Sequence, residues 1–146
     1  MPFKSILSAA LLIIAVSCTA QTITKVEMHL SAFGVESDRW PNIDVAVDFK
    51  ENTSRCKVSY YHPDYKPFQY KLTEDEIAKL LLLLEKADLK KLKKEYTVTI
   101  SDQPSSTIKI HTSSGEVITI KDYGLKGDAP LPEIYTIAYK LEKTVK

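Results

Sequence analysis

A chain of 146 residues with 20 Lys and Arg against 19 Asp and Glu carries no net field to steer it to nucleic acid or other acidic polymers. Its length suits one domain that buries a core without staples, and two cysteines are too few for a disulfide-dense scaffold. Four glycines leave no phosphate-cradling loop, since Gly124 and Gly127 lack the Gly-Lys-Ser/Thr ending.

The first twenty residues read as an export signal. Lys4 supplies a positive charge, Ile6 to Val16 forms an apolar stretch of eleven residues, and small residues follow in Ser17-Cys18-Thr19-Ala20. A membrane-spanning helix needs about 20 apolar residues, so this stretch is too short for a permanent anchor. Two cleavage readings stand side by side. Small residues at Cys18 and Ala20 suit cleavage before Gln21, whereas Ala15-Val16-Ser17-Cys18 resembles a bacterial lipobox with Cys18 as the lipidated N-terminus. The expected location is therefore exported: a membrane-anchored lipoprotein, or a secreted or periplasmic protein. Residues 21–146 form the expected single domain, in which Cys56 is the one remaining thiol and alternates with Val58 and Tyr60 as a buried core residue.

In chain order, Val26, Met28 and Leu30 share one face of a first strand, and 31–42 is a polar loop. Ile43, Val45, Val47 and Phe49 alternate with polar residues in a second strand, and Glu51 to Ser54 turns into a third, from Arg55 to Tyr61. His62-Pro63-Asp64 breaks it, and Phe68, Tyr70 and Leu72 begin a short fourth strand. Thr73-Glu74-Asp75-Glu76 is a capping box that starts a helix running to about Ala87. Leucines 80 to 84 cover most of that helix's circumference, so Leu82 calls for a second apolar contact, from a loop of the same chain or from a partner in an oligomer. A lysine-rich turn follows, then an extended segment from Tyr96 to Ile100 and a hairpin of 107–112 and 116–123 turning at Ser113-Ser114-Gly115. A last helix begins near Pro130 or Pro132, with Ile134, Tyr135, Ala138 and Leu141 as its apolar stripe. The expected fold is α+β: an antiparallel sheet of about five to seven strands with two main helices packed on one face.

The run Leu72 to Glu76, Lys94-Glu95-Tyr96, Ser101-Asp102-Gln103-Pro104 and Asp122-Tyr123 resembles the exported bacterial family catalogued as domain of unknown function 6438, over about residues 30 to 143. Members of that family tend to carry Cys-Phe-Gly-x-Cys-Pro before the first long strand. Here Ala32-Phe33-Gly34 keeps the Phe-Gly without the first cysteine, and Trp40-Pro41 keeps the proline with Trp40 where the second would stand. The resemblance implies an exported location and a fold, and no activity.

Candidate chemistry is sparse. Asp44 and Asp48 share the outward strand face but lie about 13 Å apart at a strand's rise, beyond the roughly 5 to 9.5 Å of a glycosidase pair. His29, His62 and His111 sit in separate elements without ligand spacing, so no metal and no cofactor is expected. The lysines from 86 to 94 read as a wet helix side, or as a contact for anionic headgroups if the chain is lipid-anchored. Trp40, Tyr61 and Tyr65 are the candidate binding residues: large, semi-rigid side chains flanking loops, suited to a protein, peptide or glycan partner. Tyr60, in the register of Cys56 and Val58, is expected in the core. A non-catalytic interaction module is the leading reading. The alternative is a small enzyme assembled from loops 31–42 and 101–106, with Asp38, His62 or Asp102 as acid or base.

Overall fold

The alternation in the middle of the chain folds as its period requires. In the computed structural model, which describes residues 21–146, Ile43, Val45 and Val47 are buried while Asp44 is exposed. The export segment, both cleavage positions and Cys18 lie outside the described residues. The strands are β1 (Ile23–Ser31), β2 (Pro41–Asp48), β3 (Thr53–Tyr60), β4 (Phe68–Tyr70), β5 (Glu95–Tyr96), β6 (Ser105–Thr112) and β7 (Val117–Tyr123). The helices are α1 (Glu74–Lys86), α2 (Leu131–Tyr139) and the single turn α3 (Leu141–Thr144).

The seven strands form one sheet in the order β4-β3-β2-β1-β6-β7-β5, with β1 at its centre. Val26, Met28 and Leu30 of β1, with their neighbours on β2, β3, β6 and β7, meet Ile77, Leu80 and Leu84 of α1 and Ile134 and Ala138 of α2 in one core. The fold is α+β as expected, with one refinement. β5 lies parallel to β7, because the chain crosses over through α1 from the β4 edge to the opposite edge. β5 also ends at Tyr96, so the extended segment expected to reach Ile100 pairs over two residues only. Val98, half-buried, lies against Gly124 instead, where a Cβ on that glycine, which has φ +97°, would stand 2.6 Å from its methyl group.

The capping box forms in full: the Glu76 amide donates to the Thr73 hydroxyl at 3.2 Å, and the Thr73 amide donates to the Glu76 carboxylate at 2.8 Å. Of the five leucines, Leu80 and Leu84 are buried, Leu81 and Leu83 half-buried and Leu82 47% exposed. No loop among the described residues covers Leu82, so the same-chain contact expected for it is not there. The final helical stretch also departs from the expected stripe. Lys140 takes a left-handed conformation, φ 49°, which ends α2 and turns Leu141 into a separate, half-buried turn. Tyr139, outside the expected stripe, is fully buried and is the largest such side chain in the core.

Candidate functional site

Consecutive antiparallel pairing of β1, β2 and β3 sends the loops after β1 and β3 from one end of the sheet, where Pro41 stands opposite Tyr60. Ser31 pairs with Ser105, so the loop before β6 emerges at that end too. Trp40, Tyr61 and Tyr65 are therefore gathered at one end, though they are presented differently. Tyr61 is 59% exposed. Trp40 is half-buried against the core. Tyr65 is half-buried, edge-on to Tyr60 at 5.5 Å between centroids and tilted over His62 at 5.1 Å. Tyr60 itself is partly rather than fully buried, its hydroxyl donating to the Thr144 carbonyl. The α3 turn meets only its hydroxyl, and its ring is flanked by Tyr65 and by Lys146, whose ammonium lies 5.7 Å from the ring centroid. Two further aromatics that sequence reasoning left out belong to this end. Phe33, on the β1–β2 loop, is 81% exposed, and Phe68, at the start of β4, is 38% exposed.

His62 and Asp102 of the enzyme alternative bond to near neighbours in the chain. His62 Nδ1 accepts from the Asp64 amide at 3.2 Å, and Asp102 accepts from the Ser101 hydroxyl. No hydrogen bond or ion pair joins Asp38, His62 and Asp102 among the described residues. The Cys56 thiol is fully buried. Burial pushes it up to about 11, against a smaller opposing effect of the Tyr70 hydroxyl, so it stays protonated and unreactive at neutral pH.

The most buried polar groups hold the fold together. Asp122 Oδ1 accepts from the Lys126 amide at 3.0 Å, and Oδ2 accepts from the Gly127 amide at 2.8 Å and the Tyr135 hydroxyl at 2.7 Å. Tyr135 stacks on Tyr139 at 5.7 Å, and the Tyr139 hydroxyl is 2.6 Å from the Ser106 hydroxyl. Desolvation raises the pKa of both tyrosines well above the usual range. No buried side-chain nitrogen or oxygen lacks a partner among the described residues.

The chemistry that sequence reasoning missed lies on the sheet face turned away from the helices. Two neighbouring rungs cross it: Lys57, Asp44, His29 and Thr107, then Arg55, Ala46, Glu27 and Lys109. His29 Nδ1 lies 2.7 Å from Asp44 Oδ1, and His111 Nε2 lies 2.7 Å from Glu27 Oε2. Lys25 donates to the other Glu27 oxygen at 2.9 Å. The Lys25 hydrogen bond and then that of His111 hold the Glu27 carboxyl below its ordinary range. Asp48 is committed to the amides of Lys50 and Glu51. Arg55, Lys57 and Lys109 make no ion pair among the described residues. They rim a shallow depression of about 400 Å³, and a second of about 620 Å³ adjoins it, sharing Ala46 and Arg55. Each of these side chains reads singly as a wet strand residue. Only the strand order sets the β3 and β6 cations on either side of the β2 and β1 carboxylates.

No curated protein and no solved structure matches the chain. A family model described as Domain of unknown function (DUF6438) matches residues 41–145. That span contains six of the seven strands, all three helices and the buried Asp122 staple, and the chain belongs to this family.

Proposed function

We propose that this protein is an exported, non-catalytic interaction module of the bacterial envelope or extracellular space, which recognises a protein, peptide or glycan through the aromatic end of its sheet. The observation that carries the reading is the exposure of Phe33 and Tyr61, 81% and 59%, on two loops that leave the sheet together. Monomers seldom leave several large apolar side chains unburied in one region without a partner for them. Loops on a rigid scaffold are also the usual place for recognition. Trp40 and Tyr65, half-buried behind these residues, support the surface and shape it.

The test is capture of envelope components on the immobilised protein. Phe33→Ala and Tyr61→Ala are expected to abolish capture while leaving the melting temperature nearly unchanged, because neither ring is packed in the core. Trp40→Ala serves as the contrast, lowering the melting temperature through lost packing. Undiminished capture by the Phe33→Ala, Tyr61→Ala double variant would refute the aromatic surface.

Export and anchoring have their own test in fractionation of cells that express the full chain. We expect wild type in the membrane fraction and Cys18→Ala released from it. Identical partitioning of the two removes the lipid anchor, and full-length precursor in the cytoplasm removes export.

A further inference from the structure

We propose that the open face of the sheet is a second recognition surface, separate from the aromatic end, and that its ligand is an acidic polysaccharide lying across the strands over Ala46. The chain as a whole is near neutral, so a ligand of this face is recognised by where its charges lie. From Gln21 onward the protein has 19 basic residues (20 less Lys4) and 19 acidic ones. The outward face of the sheet carries Lys25, Arg55, Lys57, Lys109 and Lys121 against Glu27, Asp44, Asp48 and Glu95, and Arg55, Lys57, Lys109 and Lys121 make no ion pair among the described residues. Lys25 is spent on Glu27, while Asp48 keeps its charge although two backbone amides bind it.

The arrangement distinguishes among anionic ligands. Arg55 and Lys109 stand three strand spacings apart, about 14 Å, with the Ala46 methyl as the low point between them. A plain polyanion such as a polyphosphate would meet the Glu27 and Asp44 carboxylates in the middle of that path and be repelled. A saccharide bearing carboxylates finds a use for both kinds of group. Its acid groups meet Arg55, Lys57 and Lys109, and its hydroxyls donate to carboxylates whose orientation His29, His111 and Lys25 have already fixed. A peptide would need pockets for apolar side chains. Met28 and Val45, at the floor, send their side chains into the core, leaving Ala46 as the apolar side chain on offer. The two adjoining depressions make a shallow track, the shape for a chain rather than for one small molecule.

The experiment titrates protein purified from cells expressing the full chain with oligogalacturonate, a neutral maltooligosaccharide of equal length, polyglutamate and polyphosphate, by calorimetry. Oligogalacturonate should bind in preference to the other three. Arg55→Ala and Lys109→Ala should each weaken it by about tenfold, the loss of one charge-assisted hydrogen bond, with unchanged melting temperatures. The decisive variant is Glu27→Gln. Removal of its charge should weaken oligogalacturonate, because an oriented acceptor is lost. Three results overturn the proposal: no binding of oligogalacturonate, equal binding of polyglutamate or polyphosphate by wild type, or tighter oligogalacturonate binding by Glu27→Gln than by wild type. The Phe33 and Tyr61 variants should bind oligogalacturonate normally, so failure here and failure of the aromatic surface are separable.

Discussion

Asp122→Ala is expected to cost the domain about 3 kcal/mol or more, among the largest effects of any single substitution. The residue has no solvent exposure, and three donors converge on it: the amides of Lys126 and Gly127 and the hydroxyl of Tyr135. Alanine would leave all three without an acceptor, the Gly127 amide and the Tyr135 hydroxyl buried and the Lys126 amide part-buried. Each orphaned group costs about 1–3 kcal/mol, and relaxation of the loop after β7 recovers part of the sum. Asp122→Asn should fall between, because an amide offers one acceptor oxygen where the carboxylate offers two. Gly127 adds a steric constraint to the same staple, since a Cβ there would lie 2.7 Å from Asp122 Oδ2. Urea denaturation measures the effect as a fall in midpoint at constant slope. A loss below about 1 kcal/mol would show that the loop holds its shape without the carboxylate.

The second large effect belongs to Tyr139. Its ring is fully buried, stacked on Tyr135, and its hydroxyl reaches Ser106 on β6. Tyr139→Ala should cost about 3–5 kcal/mol through the cavity it opens. Tyr139→Phe isolates the polar part and should cost about 1–2 kcal/mol, because the Ser106 hydroxyl is then buried with no partner. The double variant Ser106→Ala, Tyr139→Phe replaces both partners with apolar groups and should be more stable than Tyr139→Phe alone. If the double variant is instead the sum of the two single losses, the hydroxyl pair is not coupled and the value of Tyr139 is packing alone.

These two residues also mark where sequence reasoning stops. The β2 alternation, the Thr73 to Glu76 cap and the hairpin turn, where Gly115 takes φ +86°, are local. Residues a few positions apart specify them, and they are legible in the letters. The burial of Tyr139 is not local. Its periodicity was obscured because the chain turns left-handed at Lys140, so a stripe drawn through to Leu141 follows a helix that has already ended. The parallel β5 was hidden for a similar reason, since its partner is set by a crossover rather than by alternation. For the candidate site, loop position and side-chain type were enough to nominate Trp40, Tyr61 and Tyr65, but could not say that Trp40 leans on the core while Phe33 stands clear of it. The open face was invisible altogether. Arg55 and Lys109 are 54 positions apart in the chain, and only the sheet order brings them to one track.

The way the chain enters the sheet has a consequence for reach. Gln21 and Thr22 are bonded to Ser114 and Ser113 at the β6–β7 hairpin, and the same end carries Lys90. From there β1 runs nine residues to Ser31, a rise of about 30 Å. If Cys18 is the lipid attachment point, three residues before Gln21, the hairpin end faces the bilayer and the aromatic loops stand some 30 Å above it. The field of charged headgroups decays over about 8 Å at physiological salt, so it would act on the lysines and be almost gone where Phe33 and Tyr61 meet a partner. A domain held this way would act as a spacer: the length of its central strand would set how far from the membrane a partner is met.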